Sequence, residues 1–231
     1  MPIINLKKSI IPSCDVASLE KLSELVKATC SVKGIGAYKI GFELVIPFGM
    51  GGVIKTIRKH TKLPVIYDHQ KAGTDIPDMG MKFMHACKGA DAVILFPQAG
   101  PETEAAWIKA AQEAKMKAII GGEMTHAAYL KEQGGFIDDN APSRMYEIAA
   151  SMGVTDFVIP GNKVDKAMNY VNLIKTKIKN PVFYSPGLVA QGGKISDLAQ
   201  KLDSWHAIVG RAIYESKDMK KAAEELTESL E

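Results

Sequence analysis

Two stretches of this sequence concentrate side chains able to move protons. YDHQKAGTDIPDMG carries Asp68, Lys71 and Asp75, and AYKIGFEL sets Lys39 in an otherwise apolar run. Carboxylates beside ammonium groups hold them charged and oriented, because a nearby opposite charge favours the ionised form. A lysine held in this way can act as a general acid, delivering a proton to carbon as negative charge develops there. A carboxylate placed where a substrate carboxylate must sit repels it, and the repulsion fades as carbon dioxide departs. The set therefore suits decarboxylation without an electron sink. It requires no metal, since lysine supplies the positive charge. The bland alternative for Lys39 is a snorkelling side chain or a structural ion pair. A lysine in a buried strand is costly without a partner, and Asp68 and Asp75 are the acids positioned to meet it.

A second constellation lies near the C-terminus. SPGLVAQGG holds Gln191, Gly192 and Gly193, and IVGRAIY holds Gly210 and Arg211. Glycines let backbone approach an anion, and a guanidinium offers a planar fork to phosphate oxygens. Either element alone reads as a plain turn or a surface ion pair; together they point to a phosphate. Asp15 in PSCD, with Thr125 and His126 in GGEMTH, completes the polar residues that follow apolar runs. His60, His69, His85 and His206 show no metal-ligand spacing.

The elements that must position these residues follow from periodicity. Eight short apolar runs, rich in Val and Ile, fall at 10–12, 37–41, 64–67, 92–96, 118–121, 157–160, 182–184 and 207–209, as strands buried on both faces should. Between them lie helical patterns at 18–29, 50–60, 78–88, 102–115, 142–152, 164–178, 195–202 and 216–230. Ser18 can cap the first, and Pro101 and Pro142 suit first helical turns. Strand–helix alternation repeated eight times is the pattern of a single α/β domain, a (β/α)8 TIM barrel spanning 1–231, with its chemistry at the C-terminal strand ends. The rival, an open doubly wound sheet, normally needs fewer units, and no GxGxxG follows the first strand. The stretch 124–140 lacks clear periodicity and is either an active-site loop or a surface insertion.

Composition narrows the partners. The 231 residues are 46% hydrophobic and 24% charged with a formal net charge of +3, which argues against disorder and gives no reason to expect nucleic acid or a membrane surface. No apolar run approaches the ~18 residues of a membrane span, and no signal peptide is read at the N-terminus. Three cysteines, Cys14, Cys30 and Cys87, form no CxxC pair and suit a reducing cytoplasm.

The strings AYKIGFEL, YDHQKAGTDIP, GGEMTH, SPGLVAQGG and IVGRAIY, in this order from Asp15 to Tyr214, resemble the orotidine 5'-phosphate decarboxylase family. The resemblance implies a cofactor-free homodimer with shared active sites that converts orotidine 5'-monophosphate to uridine 5'-monophosphate. It implies that Asp15 and Lys39 meet the ribose hydroxyls, that Asp68 and Lys71 form the catalytic pair with Lys71 protonating C6, and that Asp75 reaches the neighbouring subunit's site. Thr125 then meets the pyrimidine, and Gln191, Gly192, Gly210 and Arg211 hold the phosphate. Two departures stand out: one extra residue on each side of Lys71, and Val189 where the family tends to have Gly. Sister enzymes on this scaffold, the Mg-dependent hexulose-phosphate synthases and ketogulonate-phosphate decarboxylases, carry an acid where Lys39 stands. A non-catalytic nucleotide-binding barrel is the other alternative.

Overall fold

The computed structural model describes residues 2–69, 75–189 and 195–230. Eight strands form one parallel sheet: β1 (Lys8–Pro12), β2 (Tyr38–Gly41), β3 (Val65–Asp68), β4 (Ala92–Leu95), β5 (Lys117–Gly121), β6 (Asp156–Val158), β7 (Val182–Ser185) and β8 (Trp205–Val209). From β2 to β8 each strand pairs in parallel with the next, and β1 pairs with β8. The last seam, between β1 and β2, closes through the bridges Ile10–Ile35 and Ser13–Lys39, with Cys14 N donating to Lys39 O at 2.8 Å. The sheet is thus the (β/α)8 barrel expected from the sequence.

Helices follow the strands: α1 (Leu19–Thr29), α2 (Phe42–Arg58), α3 (Gly80–Ala86), α4 (Pro101–Glu113), α5 (Ala141–Ser151), α6 (Val164–Lys175), α7 (Ile195–Ala199), α8 (Arg211–Tyr214) and α9 (Met219–Glu228). Ser18 caps α1, its side chain accepting from Lys21 N, and Pro101 and Pro142 lie in first turns. The expected helix 50–60 in fact starts at Phe42, directly after β2. Pro47 and Gly49 masked its first half, and Gly49 (φ 69°, ψ 149°) kinks the helix there; positive φ is costly for residues with a Cβ.

Strand alternation sorts side chains into two cores. Tyr38, Ile40 and Tyr67 face the helix layer, whereas Ala37, Ile66, Ile94, Phe96, Val158 and Ile208 fill the barrel interior. Gly121 lies so close to the Phe96 ring that a Cβ would come within 2.3 Å of it. Glycine is therefore required for the barrel to close around that ring.

Candidate active site

Lys39 points inward because its neighbours Tyr38 and Ile40 are committed to the outer core. Tyr38 is further pinned by its hydroxyl, 2.7 Å from Thr29 Oγ1. Inside the barrel mouth, Lys39 Nζ lies 3.1 Å from Asp68 Oδ2 at the end of β3 and 3.5 Å from Asp15 Oδ1 just beyond β1. Gly41 and Asp68 are register partners, which brings β2 and β3 to the same height. Ser13 Oγ donates to Asp15 Oδ2 at 2.7 Å and orients that carboxylate. Burial pulls the Lys39 pKa down, but the carboxylates of Asp68 and then Asp15 outweigh it, so the net shift is upward and the ammonium stays charged.

These residues open into a cavity of about 340 Å³ at the C-terminal ends of the strands, within the range of small-molecule sites. Its floor includes Ile94, Phe96, Val158 and Ile208 from the barrel interior. Glu123, Met124, Thr125 and His126 form one wall, and Gly210, Arg211 and Tyr214 another. The stretch 124–140 is accordingly divided: its first residues line the cavity, and a short 3-10 turn follows at Lys131–Gln133.

The structure thus gathers Asp15, Lys39, Asp68, Thr125, Gly210 and Arg211 around one hollow. Of the two acids expected to meet Lys39, Asp68 does so within the chain and Asp75 does not; Asp15 takes the second place. Asp75 is exposed, its Oδ1 accepting from Ile76 N, and it borders a separate hollow with Gly100 and Thr103. Lys71, Gln191 and Gly192 lie outside the described residues. Val189 has φ 62°, the left-handed region that favours glycine; an L side chain there costs about 1–2 kcal/mol. Val189 thus adopts the backbone conformation suited to the Gly that the resemblance leads one to expect there.

Sequence reasoning missed Glu123 and Lys163. Glu123 is fully buried, with Lys163 Nζ 2.6 Å from Oε1 and Tyr170 Oη 2.6 Å from Oε2. Its position two residues past β5 was the available signal, the same one that drew attention to Thr125. Among the described residues no group of three His, Cys, Asp or Glu side chains is placed to hold a metal ion. The pair Asp15 and Asp68 does not fit one either, because an ammonium already stands between them.

A closed parallel barrel with an ionic cluster and an arginine at the mouth defines a protein that takes an anionic small molecule at its strand ends. Residues 8–226 match the "Orotidine 5'-phosphate decarboxylase / HUMPS family", and the chain belongs to that family. It is 32% identical to the orotidine 5'-phosphate decarboxylase of Methanocaldococcus jannaschii, over 85% of this chain and 87% of that one. It is 27% identical to that of Methanosphaera stadtmanae, over 98% and 99%. The crystal structure of the Methanocaldococcus jannaschii orotidine 5'-monophosphate decarboxylase complexed with the inhibitor BMP aligns with a TM-score of 0.84 at 28% identity, covering 96% of this chain and 98% of that one.

Proposed function

We propose that this protein decarboxylates orotidine 5'-monophosphate to uridine 5'-monophosphate and carbon dioxide, without metal, as a step of pyrimidine biosynthesis. One observation carries the reading: the Lys39 ammonium clamped between Asp15 and Asp68 on the floor of a cavity that also reaches Thr125 and Arg211. Asp15 and Lys39 receive the ribose hydroxyls, Thr125 the pyrimidine, and Gly210 and Arg211, with Gln191 and Gly192, the phosphate. The C6–carboxylate bond breaks, its electron pair stays on C6, and the Lys71 ammonium gives that carbon a proton. Asp68 faces the departing carboxylate, and the remote phosphate grip supplies binding energy for closing the site.

Catalysis by a homodimer with shared sites is part of the proposal. Asp75 is exposed beside Ile76, and Phe42 and Ile46 are exposed after β2 at the same end of the barrel. Exposed apolar side chains at the barrel end that also carries this exposed acid suit a partner copy. We read 1–231 as a single domain and place it in the cytoplasm; its three cysteines are free thiols, and no described helix is long and apolar enough to cross a membrane.

The direct test is orotidine 5'-monophosphate mixed with the protein in EDTA, followed by pyrimidine absorbance. Turnover is expected to persist in the chelator, and its loss would favour the Mg-dependent sister chemistry. Lys71→Ala should abolish turnover while uridine 5'-monophosphate still binds; binding by the unmodified protein without turnover would support the non-catalytic barrel instead. Arg211→Ala should weaken uridine 5'-monophosphate by roughly tenfold to a hundredfold and uridine hardly at all, as a lost charge-assisted contact to phosphate would. Equal losses for both ligands would remove Arg211 from the phosphate site.

A further inference from the structure

The backbone just beyond β5 has left the strand ladder, yet side chains from three other segments hold it. Gly122 N donates to Tyr146 Oη at 3.0 Å, and Gly122 O accepts from Tyr129 Oη at 3.1 Å. Met124 O accepts from Lys163 Nζ at 3.0 Å, and Thr125 O accepts from Asn162 Nδ2 at 3.0 Å. Buried backbone groups need partners of this kind once the strand ends. Here the partners come from side chains, so their own anchorage decides how firmly the wall stands.

Glu123 anchors one of these side chains, Lys163. Its side chain has 0% exposure, and both oxygens are used: Oε1 by Lys163 and Oε2 by the Tyr170 hydroxyl. Burial, followed by the hydrogen bond to Glu123, pushes the Tyr170 hydroxyl well above the usual phenol range, so it remains a donor. A carboxylate removed from water is tolerated when its lone pairs are matched in this way. The match also fixes Lys163, whose ammonium then reaches Met124 O. Without the carboxylate, that ammonium would be free to turn elsewhere and Met124 O would lose its donor. Glu123 and Lys163 neutralise each other beside a cavity already charged at Lys39 and Arg211.

We infer that Glu123 is a positioning residue: through Lys163 it holds the Met124 carbonyl, directly before Thr125 in the chain, so that the Thr125 side chain meets the pyrimidine in one place. The inference rests on the decarboxylase reading and deepens it, assigning recognition of the base to a network separate from the groups that hold ribose and phosphate.

The test is calorimetric titration of uridine 5'-monophosphate and of ribose 5-phosphate into Glu123→Gln, Thr125→Ala and the double variant. Glu123→Gln is expected to weaken uridine 5'-monophosphate about tenfold and ribose 5-phosphate less than about twofold. The double variant should bind uridine 5'-monophosphate no more weakly than the weaker single variant, since residues acting as one unit are non-additive. Losses that add, or that are equal for the two ligands, would overturn the inference. If Glu123→Gln does not fold, Tyr170→Phe removes one of the hydrogen bonds to the carboxylate. It must show the same selectivity at smaller size, and unselective loss there overturns the inference as well. Failure of the unmodified protein to bind uridine 5'-monophosphate would instead overturn the decarboxylase reading, and this inference with it.

Discussion

Polar side chains enter the barrel at two levels, and the two are built on different terms. At the mouth stand ions: Lys39 between Asp15 and Asp68, open to the cavity. Toward the N-terminal ends of the strands stand hydrogen-bonded groups. His206 Nδ1 lies 2.8 Å from Ser9 Oγ, the His206 ring packs on Tyr184, and Tyr184 Oη donates to Asp156 Oδ1 at 2.9 Å. Burial drives the His206 imidazole down to about 4 and raises the Asp156 carboxyl. Burial acts on both levels; counter-charge decides the outcome. Where two carboxylates flank an ammonium, the charge survives, and where counter-charge is too weak to offset burial the group is pushed toward its neutral form. The upper level can therefore do electrostatic work on a ligand, whereas the lower one contributes shape and hydrogen bonds.

The largest expected effect tests the upper level. Lys39→Met leaves Asp15 and Asp68 facing each other without their cation and should cut kcat/KM for orotidine 5'-monophosphate by roughly 10³-fold or more. Steady-state assays beside a thermal melt would separate lost chemistry from lost fold. A folded variant retaining turnover within about tenfold would break the comparison at its functional end. The raised Lys39 pKa implies that its stabilisation is present below the ordinary lysine value of 10.5 and fades only as pH rises beyond it. Any loss of activity between pH 7 and 9 must then come from another group.

The lower level should respond at the opposite end of the pH scale. His206 has a folded pKa near 4 against an ordinary value of 6.5, so the unfolded chain takes up a proton first as pH falls. Its contribution is complete above about pH 6.5 and is lost progressively toward pH 4, up to about 3 kcal/mol in all. Denaturant unfolding at stepped pH should show that slope in the native protein and a flatter one in His206→Gln, with turnover at pH 7.5 nearly unchanged in the folded variant. An identical slope in both proteins would mean that the imidazole is not held neutral.

The sequence announced the barrel because its signal is repetitive: each apolar run lies within two residues of a strand, and boundary errors of one run did not spread to the next. It announced Lys39, Asp68 and Arg211 because charge at a strand end violates the apolar pattern around it. It did not announce that Asp15 would share Lys39 with Asp68, since residues 15, 39 and 68 become neighbours only when the β1–β2 seam closes. Glu123 was legible by the same rule as Thr125, but its partner Lys163 begins a different helix forty residues away and has no periodic signature. Phe42 and Ile46 were concealed by Pro47 and Gly49, which read as a break although the helix resumes after its kink.

Glu104 offers the finest test of the rule that buried charge requires counter-charge. It lies in the first turn of α4, 1% exposed, and its Oε1 has no hydrogen-bond partner. Pro97, Met145 and Ile148 border the same small hollow, together with Gln98 and Arg144. Burial pushes its carboxyl up to about 8, against an ordinary value of 4.5. Between those values the unfolded chain has already lost the proton that the folded chain keeps, so stability falls as pH rises through the window. Glu104→Leu removes that penalty and places an apolar side chain against apolar neighbours. The variant should be the more stable protein at pH 8, by up to about 4 kcal/mol if the whole linkage penalty is relieved, and the gain should shrink toward zero near pH 4.5. Urea unfolding at pH 5 and pH 8 reads the difference directly. A gain of equal size at both pH values would trace it to packing alone, and no gain at pH 8 would mean that the carboxylate is already matched, as at Lys39.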